Sequence, residues 1–548
     1  MTTSVLEIQS LCIEANGAPV LDTINLTLNA GEVLGLIGES GAGKSTLGLA
    51  AMGHSRAGSR FASGRVLFGG QDLLALDAAA LSRVRGARIA YIAQHPAASF
   101  NPVQRLGVQV AETLVLHKGA SWTAAQQRAA ELYDELGLPD PGSFGRRFPH
   151  QVSGGQLQRA MIAMAIACDP ELLVLDEPTT ALDVTTQIDV LDAIRQTLSK
   201  HRTAALYISH DLAVVAQLAH RVLVLRQGKE VETGPIADIL NAPREDYTRR
   251  LLTAHAMGRK ADTAASSPPD EVLAADHITA SYRNTPAVLK NVSVSLQRGQ
   301  TLAVVGTSGS GKSTLARVLC GLLAPAQGGI RFAGAPLPAS LQQRNREQLR
   351  RIQLIHQQPD TALNPSHRIG QILGRVLSLH FGLRGTALQT RVTELLKRVG
   401  LPATFADRRP SQLSGGEKQR VCIARALAAE PDVIVCDEIV ASLDLLIADD
   451  ILRLLAQIQR DTGTAYVFIT HDIGVVRRIA DSVAVMSQGE VVAQGPLDQV
   501  FAPPLHPYTA LLLDSVPEMH TDWLSDTLAK RASMDVDLSM PVQRTSST

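Results

Sequence analysis

The sequence predicts an α/β chain of two tandem domains, each with a parallel-sheet core, an antiparallel β subdomain and a helical subdomain. Three observations carry this. A glycine-rich stretch occurs twice, as Gly38-Glu39-Ser40-Gly41-Ala42-Gly43-Lys44-Ser45-Thr46 and as Gly306-Thr307-Ser308-Gly309-Ser310-Gly311-Lys312-Ser313-Thr314. Each copy follows a short apolar run, Val33-Leu34-Gly35-Leu36-Ile37 or Leu302-Ala303-Val304-Val305, that reads as a buried parallel strand. Each copy then opens into Leu- and Ala-rich sequence of helical character.

Strand, glycine loop and helix form the context that makes G-x-x-x-x-G-K-[ST] a phosphate loop. The glycines let backbone N–H groups converge on phosphate oxygens, and the helix N-terminus adds a favourable dipole. Lys44 and Lys312 are expected to reach the β- and γ-phosphates, and Ser45 and Ser313 to hold Mg²⁺. A glycine turn with a chance lysine would account for one copy. Two copies in matching contexts leave nucleoside triphosphate binding.

For 548 residues, length alone suggests about three or four domains. The repeat revises this to two similar halves, each large enough to bury a core. Lys plus Arg and Asp plus Glu each total 52, which argues against a nucleic-acid machine with its basic excess. No apolar run reaches the roughly 18 residues of a membrane span. Met1-Thr2-Thr3-Ser4 lacks the basic flank and apolar core of a signal peptide. The five cysteines (Cys12, Cys168, Cys320, Cys422, Cys436) show no C-x-x-C spacing and indicate neither disulfides nor a metal site. A cytosolic protein is expected.

Ahead of the first loop, residues 5–30 alternate apolar and polar (Leu6, Ile8; Leu21, Ile24, Leu26) and read as antiparallel strands. Arg65-Val66-Leu67-Phe68-Gly69-Gly70 reads as a strand and turn. Arg88-Ile89-Ala90-Tyr91-Ile92-Ala93 is a strand delivering Gln94, and His95-Pro96 and Phe100-Asn101-Pro102 mark an irregular loop. Residues 106–138 are helical in composition and read as a separate lobe. At Ser153-Gly154-Gly155-Gln156 a turn caps a helix over 157–167, and such an N-terminus can hold phosphate. Leu172-Leu173-Val174-Leu175 then runs into Asp176-Glu177-Pro178, a central strand bringing two acids to the phosphate end of the sheet. Beside a phosphate loop, Asp176 is the expected partner of the Mg²⁺ shell and Glu177 the general base for water. A further strand, residues 205–209, ends on His210-Asp211, which places His210 to contact the γ-phosphate.

In this order the motifs resemble the nucleotide-binding domain of ATP-binding cassette (ABC) proteins, over residues 5–250 and 272–515. The loop, Gln94, the Ser153 turn, Asp176-Glu177, Ala181-Leu182-Asp183 and His210 match its Walker A, Q-loop, signature, Walker B, D-loop and switch histidine. Val152 stands where leucine is usual before the signature. The second half repeats the set as Gln357, Ser414-Gly415-Gly416-Glu417, Asp437-Glu438, Ser442-Leu443-Asp444 and His471-Asp472. The resemblance implies a RecA-like P-loop NTPase core in each half and two sites for ATP and Mg²⁺. It implies catalysis by Glu177 and Glu438 with His210 and His471. The metal would be held by Ser45, Gln94 and Asp176, and by Ser313, Gln357 and Asp437. Head-to-tail pairing within the chain, with no homodimer required, would join the Lys44 site to Ser414 and Gly416, and the Lys312 site to Ser153 and Gly155. Fusing the halves makes that encounter intramolecular. The expected boundaries are 1–255, a flexible linker over 256–271, 272–520, and a poorly ordered polar tail over 521–548.

Two marks narrow the family. An Asn-Pro follows each Q-loop glutamine (Asn101-Pro102, Asn364-Pro365), and Pro504-Leu505-His506-Pro507-Tyr508-Thr509 is echoed by Pro243-Arg244-Glu245-Asp246-Tyr247-Thr248. Both resemble dipeptide/oligopeptide (and nickel) importer ATPases. That branch implies two transmembrane permease subunits as partners, an extracytoplasmic substrate-binding protein acting indirectly, and a peripheral place on the cytoplasmic face of the cell membrane. No cysteine follows Cys436, so no iron–sulfur cluster is expected. The alternatives are a non-peptide cargo such as nickel, or a soluble tandem ATPase acting on ribosomes, for which a long charged linker and basic surface are missing. Tyr282 takes the place of the adenine-stacking aromatic in the second half, and Ala15 aligns with it in the first. Losing such a contact costs on the order of 1 kcal/mol, so weaker ATP binding is expected at the Lys44 site. Ile439-Val440 follows Glu438 where Pro178-Thr179 follows Glu177, with no role legible in the sequence.

Overall fold

A computed structural model describes residues 4–180, 182–256, 270–283, 285–441 and 443–538. Most of the expected linker (257–269), the first D-loop residues Ala181 and Ser442, and the chain end from 539 lie outside them. The chain divides into two compact units, Met1–Thr253 with Pro517–Thr548, and Ala254–Val516.

Each unit repeats one plan. In the first, a six-stranded sheet runs Lys229–Pro235, Arg221–Arg226, Val33–Ile37, Ala204–Ile208, Leu172–Asp176, Ile89–Ile92. Every neighbouring pair is parallel except the outermost hairpin, Arg221–Arg226 with Lys229–Pro235. The three middle strands are buried at every position, which explains their continuous apolar runs: both faces are covered. The second unit repeats the order from Ile352–Ile355 through Val433–Asp437, Ala465–Ile469, Thr301–Val305 and Ser482–Ser487 to Glu490–Pro496.

The alternation over residues 5–30 forms an antiparallel pair, Ser4–Ala15 with Ala18–Asn29, extended by Ser59–Phe68 and Gln71–Asp72. Its inward residues Leu6, Ile8, Leu11 and Ile13 share one core with Leu36, Val174 and Leu206 of the parallel sheet. The helical lobe is Leu106–Lys118 and Trp122–Glu135, the latter capped by Ser121, whose Oγ accepts from the Ala124 N–H. In the second unit the lobe is Ile369–Phe381 and Gly385–Arg398.

The polar stretch after Thr521 departs from its expected state. Trp523–Leu538 is helical, buries Trp523 and Leu524, and belongs to the first unit. The reason is two apolar side chains at its start and a receptive surface on a distant part of the chain. Composition alone records neither.

Candidate functional site

The parallel register brings the chemistry to one end of each sheet. Val33 pairs with Ala205 and Leu172 with Ala204, so the strands carrying the phosphate loop, the acids and the histidine end side by side. The Glu177 N–H donates to Ile208 O at 2.9 Å and the Ser209 N–H to Leu36 O at 3.1 Å, locking the three ends together. Glu438 does the same to Ile469 O at 3.0 Å.

The loops themselves require glycine. A Cβ on Gly38 would lie 2.1 Å from Leu225 O, and one on Gly306 would lie 2.2 Å from Met486 O. Gly43 and Gly311 take φ of 100° and 104° as they turn the chain into the helices Lys44–Ala50 and Lys312–Leu319. Lys44 is buried and curls back, its Nζ donating to Gly38 O (2.6 Å) and Glu39 O (2.9 Å). Lys312 donates to Gly306 O and Thr307 O, both at 2.9 Å. Each ammonium is a donor of the kind that phosphate oxygens satisfy.

Ser45 Oγ donates to Asp176 Oδ1 at 3.0 Å, and Ser313 Oγ to Asp437 Oδ1 at 3.1 Å. A hydroxyl and a carboxylate side by side beside a phosphate loop are the hard oxygen donors that suit Mg²⁺, so the residues present fit that ion. Burial raises the Asp437 carboxyl above its ordinary range, against the Ser313 hydrogen bond, which lowers it.

Both glutamates occupy the left-handed backbone region, Glu177 at φ 49° and Glu438 at φ 50°. A non-glycine residue there holds strain of order 1–3 kcal/mol, a cost that clusters at functional positions. Gln94 Nε2 donates to Glu177 Oε2 at 2.7 Å, and Gln357 Nε2 to Glu438 Oε2 at 2.7 Å. His210 Nδ1 lies 3.2 Å from Glu177 Oε1, and His471 Nδ1 lies 3.4 Å from Glu438 Oε1. Burial alone would raise the Glu177 carboxyl. The hydrogen bond and charge of His210, with Lys44, outweigh it and hold the group below the usual range. Burial would likewise lower the His210 imidazole, but Glu177 raises it above its ordinary value. Glu438 and His471 shift in the same directions for the same reasons.

At each signature a serine caps a helix, Gly154–Ile166 or Gly415–Leu427. Ser153 Oγ accepts from the Gln156 N–H (3.3 Å) while Gln156 Oε1 accepts from the Ser153 N–H (3.1 Å). Ser414 and Glu417 repeat this at 3.3 and 2.7 Å. The side chains of Gln156 and Glu417 therefore serve the capping box. Gly155 and Gly416 pack against the next helix, where a Cβ would meet Thr186 Cγ2 at 2.1 Å and Ile447 Cγ2 at 2.6 Å.

Tyr282 stands beside the second loop, its hydroxyl 3.3 Å from Thr314 Oγ1 and accepting from Arg317 at 2.8 Å. Ala15 ends the matching strand of the first unit. The role of Ile439-Val440 becomes visible: both side chains are buried in the core of the second unit. Ala441 then stands where Thr180 does, so Glu438 lacks the 3.1 Å hydrogen bond that Thr180 Oγ1 donates to Glu177 Oε2.

Three tyrosines escaped the sequence reading. Tyr91 OH donates to Asp176 Oδ2 at 2.8 Å, and Leu354 takes its place in the second unit. Burial and the Asp176 charge push the Tyr91 phenol up, so it remains a neutral donor. Tyr247 OH accepts from the Glu39 N–H at 3.1 Å, and Tyr508 OH from the Thr307 N–H at 3.0 Å. The echo between the two Tyr-Thr segments was the available signal. It marks a repeated contact on the phosphate loop.

The family described as ABC transporter matches residues 21–180 and 289–441, and that described as oligopeptide/dipeptide transporter, C-terminal region, matches 492–538. The chain is 40% identical over 536 residues to the glutathione import ATP-binding protein GsiA of Salmonella paratyphi A, covering 90% of this chain and 86% of that one. It is 40% identical over 539 residues to the protein of the same name from Escherichia coli K12, again covering 90% and 86%. Among solved structures, cbiO1 from Clostridium perfringens, part of the ABC transporter complex cbiONQ, is 32% identical over 43% of this chain and 92% of its own, with a TM-score of 0.38.

The chain belongs to the ABC transporter family, with two cassettes in tandem. Within it, this is the ATP-hydrolysing, ATP-binding subunit of an importer, carrying a C-terminal region of the oligopeptide/dipeptide type. Among the described residues no helix is long and apolar enough to cross a membrane.

Proposed function

We propose that this subunit drives uptake of di- and oligopeptides or a closely related peptide-like cargo, through two separate permease subunits fed by a substrate-binding protein. The observation that carries the cargo class is the C-terminal match over 492–538, whose Tyr508 reaches back to the Thr307 N–H of the phosphate loop. The relatives named for glutathione import point the same way, since glutathione is a tripeptide. The chain would work at the cytoplasmic face of the membrane, its two halves pairing on ATP without a second copy.

In this reading Lys44 and Lys312, with the loop amides, hold the triphosphate, and Tyr282 stacks on adenine in the second unit. The ionised Glu177 or Glu438 orients water for in-line attack and takes its proton. Gln94 and Gln357 position the glutamates, and His210 and His471 pair with them until the γ-phosphate arrives. Ser45, Gln94 and Asp176, or Ser313, Gln357 and Asp437, would hold Mg²⁺, which would neutralise phosphate charge there. Backbone N–H groups at the Ser153 and Ser414 helix starts stabilise the charge that develops. Closure on ATP and opening after hydrolysis would move the permeases between inward- and outward-facing states.

The test is reconstitution of the chain with its permeases and binding protein in vesicles. Dipeptides or glutathione should stimulate hydrolysis and accumulate in an ATP-dependent manner. Stimulation by nickel and by no peptide would overturn the cargo assignment.

A further inference from the structure

The last segment of the chain serves a unit it does not follow. Pro517–Thr548 groups with the first unit although Ala254–Val516 forms the second. Gln217, just past the short helix Leu212–Ala216, grips this segment. Its Nε2 donates to the carbonyls of Glu518 (3.1 Å) and His520 (2.9 Å), and its Oε1 accepts from the Leu524 N–H (3.0 Å). Trp523 and Leu524 are 4% and 0% exposed, so the grip is closed by apolar burial. Arg195 donates to Ser525 Oγ at 2.9 Å. Further on, Arg531 donates to Asp189 Oδ1 at 3.1 Å and to Thr185 O at 3.4 Å.

Thr185 and Asp189 flank Thr186 in the first turns of the helix Val184–His201, which Asp183 caps. Thr186 is the side chain against which Gly155 of the signature packs, with room for no Cβ. Arg531 therefore holds the first turns of the same helix against which the signature's N-terminus is seated, Thr186 and Asp189 being neighbours on one face. The second unit solves the same problem differently. Counted from the capping residues Asp211 and Asp472, Arg478 stands where Gln217 does, and it forms an ion pair with Asp449. Counted from Asp183 and Asp444, Asp450 stands where Asp189 does, and it faces Arg420 of its own signature helix at 3.6 Å. The gripping residue Gln217 is thus particular to the first unit, whereas Asp189, like Asp450, also lies in the field of its own signature-helix arginine, Arg159.

We propose that the C-terminal segment is a positioning element for the first signature, with Arg531 as its positioning residue. Through Thr185 and Asp189 it sets the distance from Thr186 to Gly155, and so the aim of the amides at the helix start. The inference rests on the reading above that this helix start meets phosphate. Misplacing a pre-aimed donor lowers turnover more than ground-state binding.

The experiment uses the full chain with Arg531→Ala, Arg531→Lys and Gly155→Ala. It also uses a chain ending at Val516, with and without a synthetic peptide of residues 517–538. Arg531→Ala should lower kcat for ATP about two- to tenfold with KM unchanged, and Arg531→Lys should recover part of the loss. The peptide should bind the shortened chain with a blue shift of Trp523 emission and restore its rate, and a peptide carrying Arg531→Ala should bind but restore less. An unchanged kcat in Arg531→Ala beside a fall in Gly155→Ala would overturn the inference and leave the phosphate reading standing. No fall in either would overturn both. If the shortened chain does not fold, the Arg531→Ala and Arg531→Lys pair decides.

Discussion

Replacing Tyr91 by phenylalanine removes one hydrogen bond and almost nothing else. Asp176 is 5% exposed and accepts from Ser45 Oγ on one oxygen and Tyr91 OH on the other. A hydrogen bond to a charged group contributes about 1.5–3 kcal/mol, and the freed oxygen is too buried for water to replace it fully. For a unit of this size each kcal/mol moves Tm by about 2–4 °C, so Tyr91→Phe should lower the first unit's transition by roughly 3–12 °C. Leu354 holds the equivalent place, so the second unit's transition should stay where it is. Differential scanning calorimetry of the nucleotide-free chain reads both, with Ser45→Ala as the control for the other oxygen. A first transition moving by less than about 1 °C would refute the claim that Tyr91 holds the aspartate.

Tyr508→Phe leaves the Thr307 N–H without its 3.0 Å acceptor and should weaken ATP binding at the second loop about threefold to tenfold, read by fluorescent-nucleotide titration. Unchanged affinity would make the contact incidental. Because Tyr282 has only Ala15 opposite it in the first unit, the two sites should differ about fivefold in ATP affinity, and Tyr282→Ala should bring them together. Equal affinities in the wild-type chain would sink that expectation. The His210–Glu177 pair makes a signed pH prediction. The lowered glutamate contributes stability that is full above its ordinary pKa and lost as pH falls through its folded value. The raised histidine contributes stability that is full below its ordinary pKa and lost as pH rises through its folded value. The Tm difference between wild type and His210→Ala should therefore peak between about pH 4.5 and 6.5 and shrink on both sides. A difference that stays flat from well below pH 4.5 to well above pH 6.5 would contradict the pairing.

What the sequence revealed follows from how locally each feature is encoded. The phosphate loops, the signature caps and the paired acids are contiguous motifs whose chemistry needs fixed spacings, so they could be read before folding. Tyr91 lay inside a recognised strand, but only the parallel register with Leu172–Asp176 turns its hydroxyl to Asp176. Tyr247 and Tyr508 are each some two hundred residues from the loops they touch, and their echo was visible without its meaning. Ile439-Val440 had no role legible in the sequence and is core packing, with the loss of the Thr180 hydrogen bond as its local consequence. The C-terminal helix was misjudged for a similar reason. Its polar composition describes its exposed face, while its order derives from Gln217, Asp189 and the burial of Trp523.

Hydrolysis in both units depends on the two glutamates, Glu177 and Glu438. Steady-state ATPase rates of the wild type, Glu177→Gln, Glu438→Gln and the double variant, with nucleotide binding measured on each, test it in one series. The rate should fall in each single variant and to background in the double, with ATP binding retained in all. A double variant hydrolysing at the wild-type rate would contradict it.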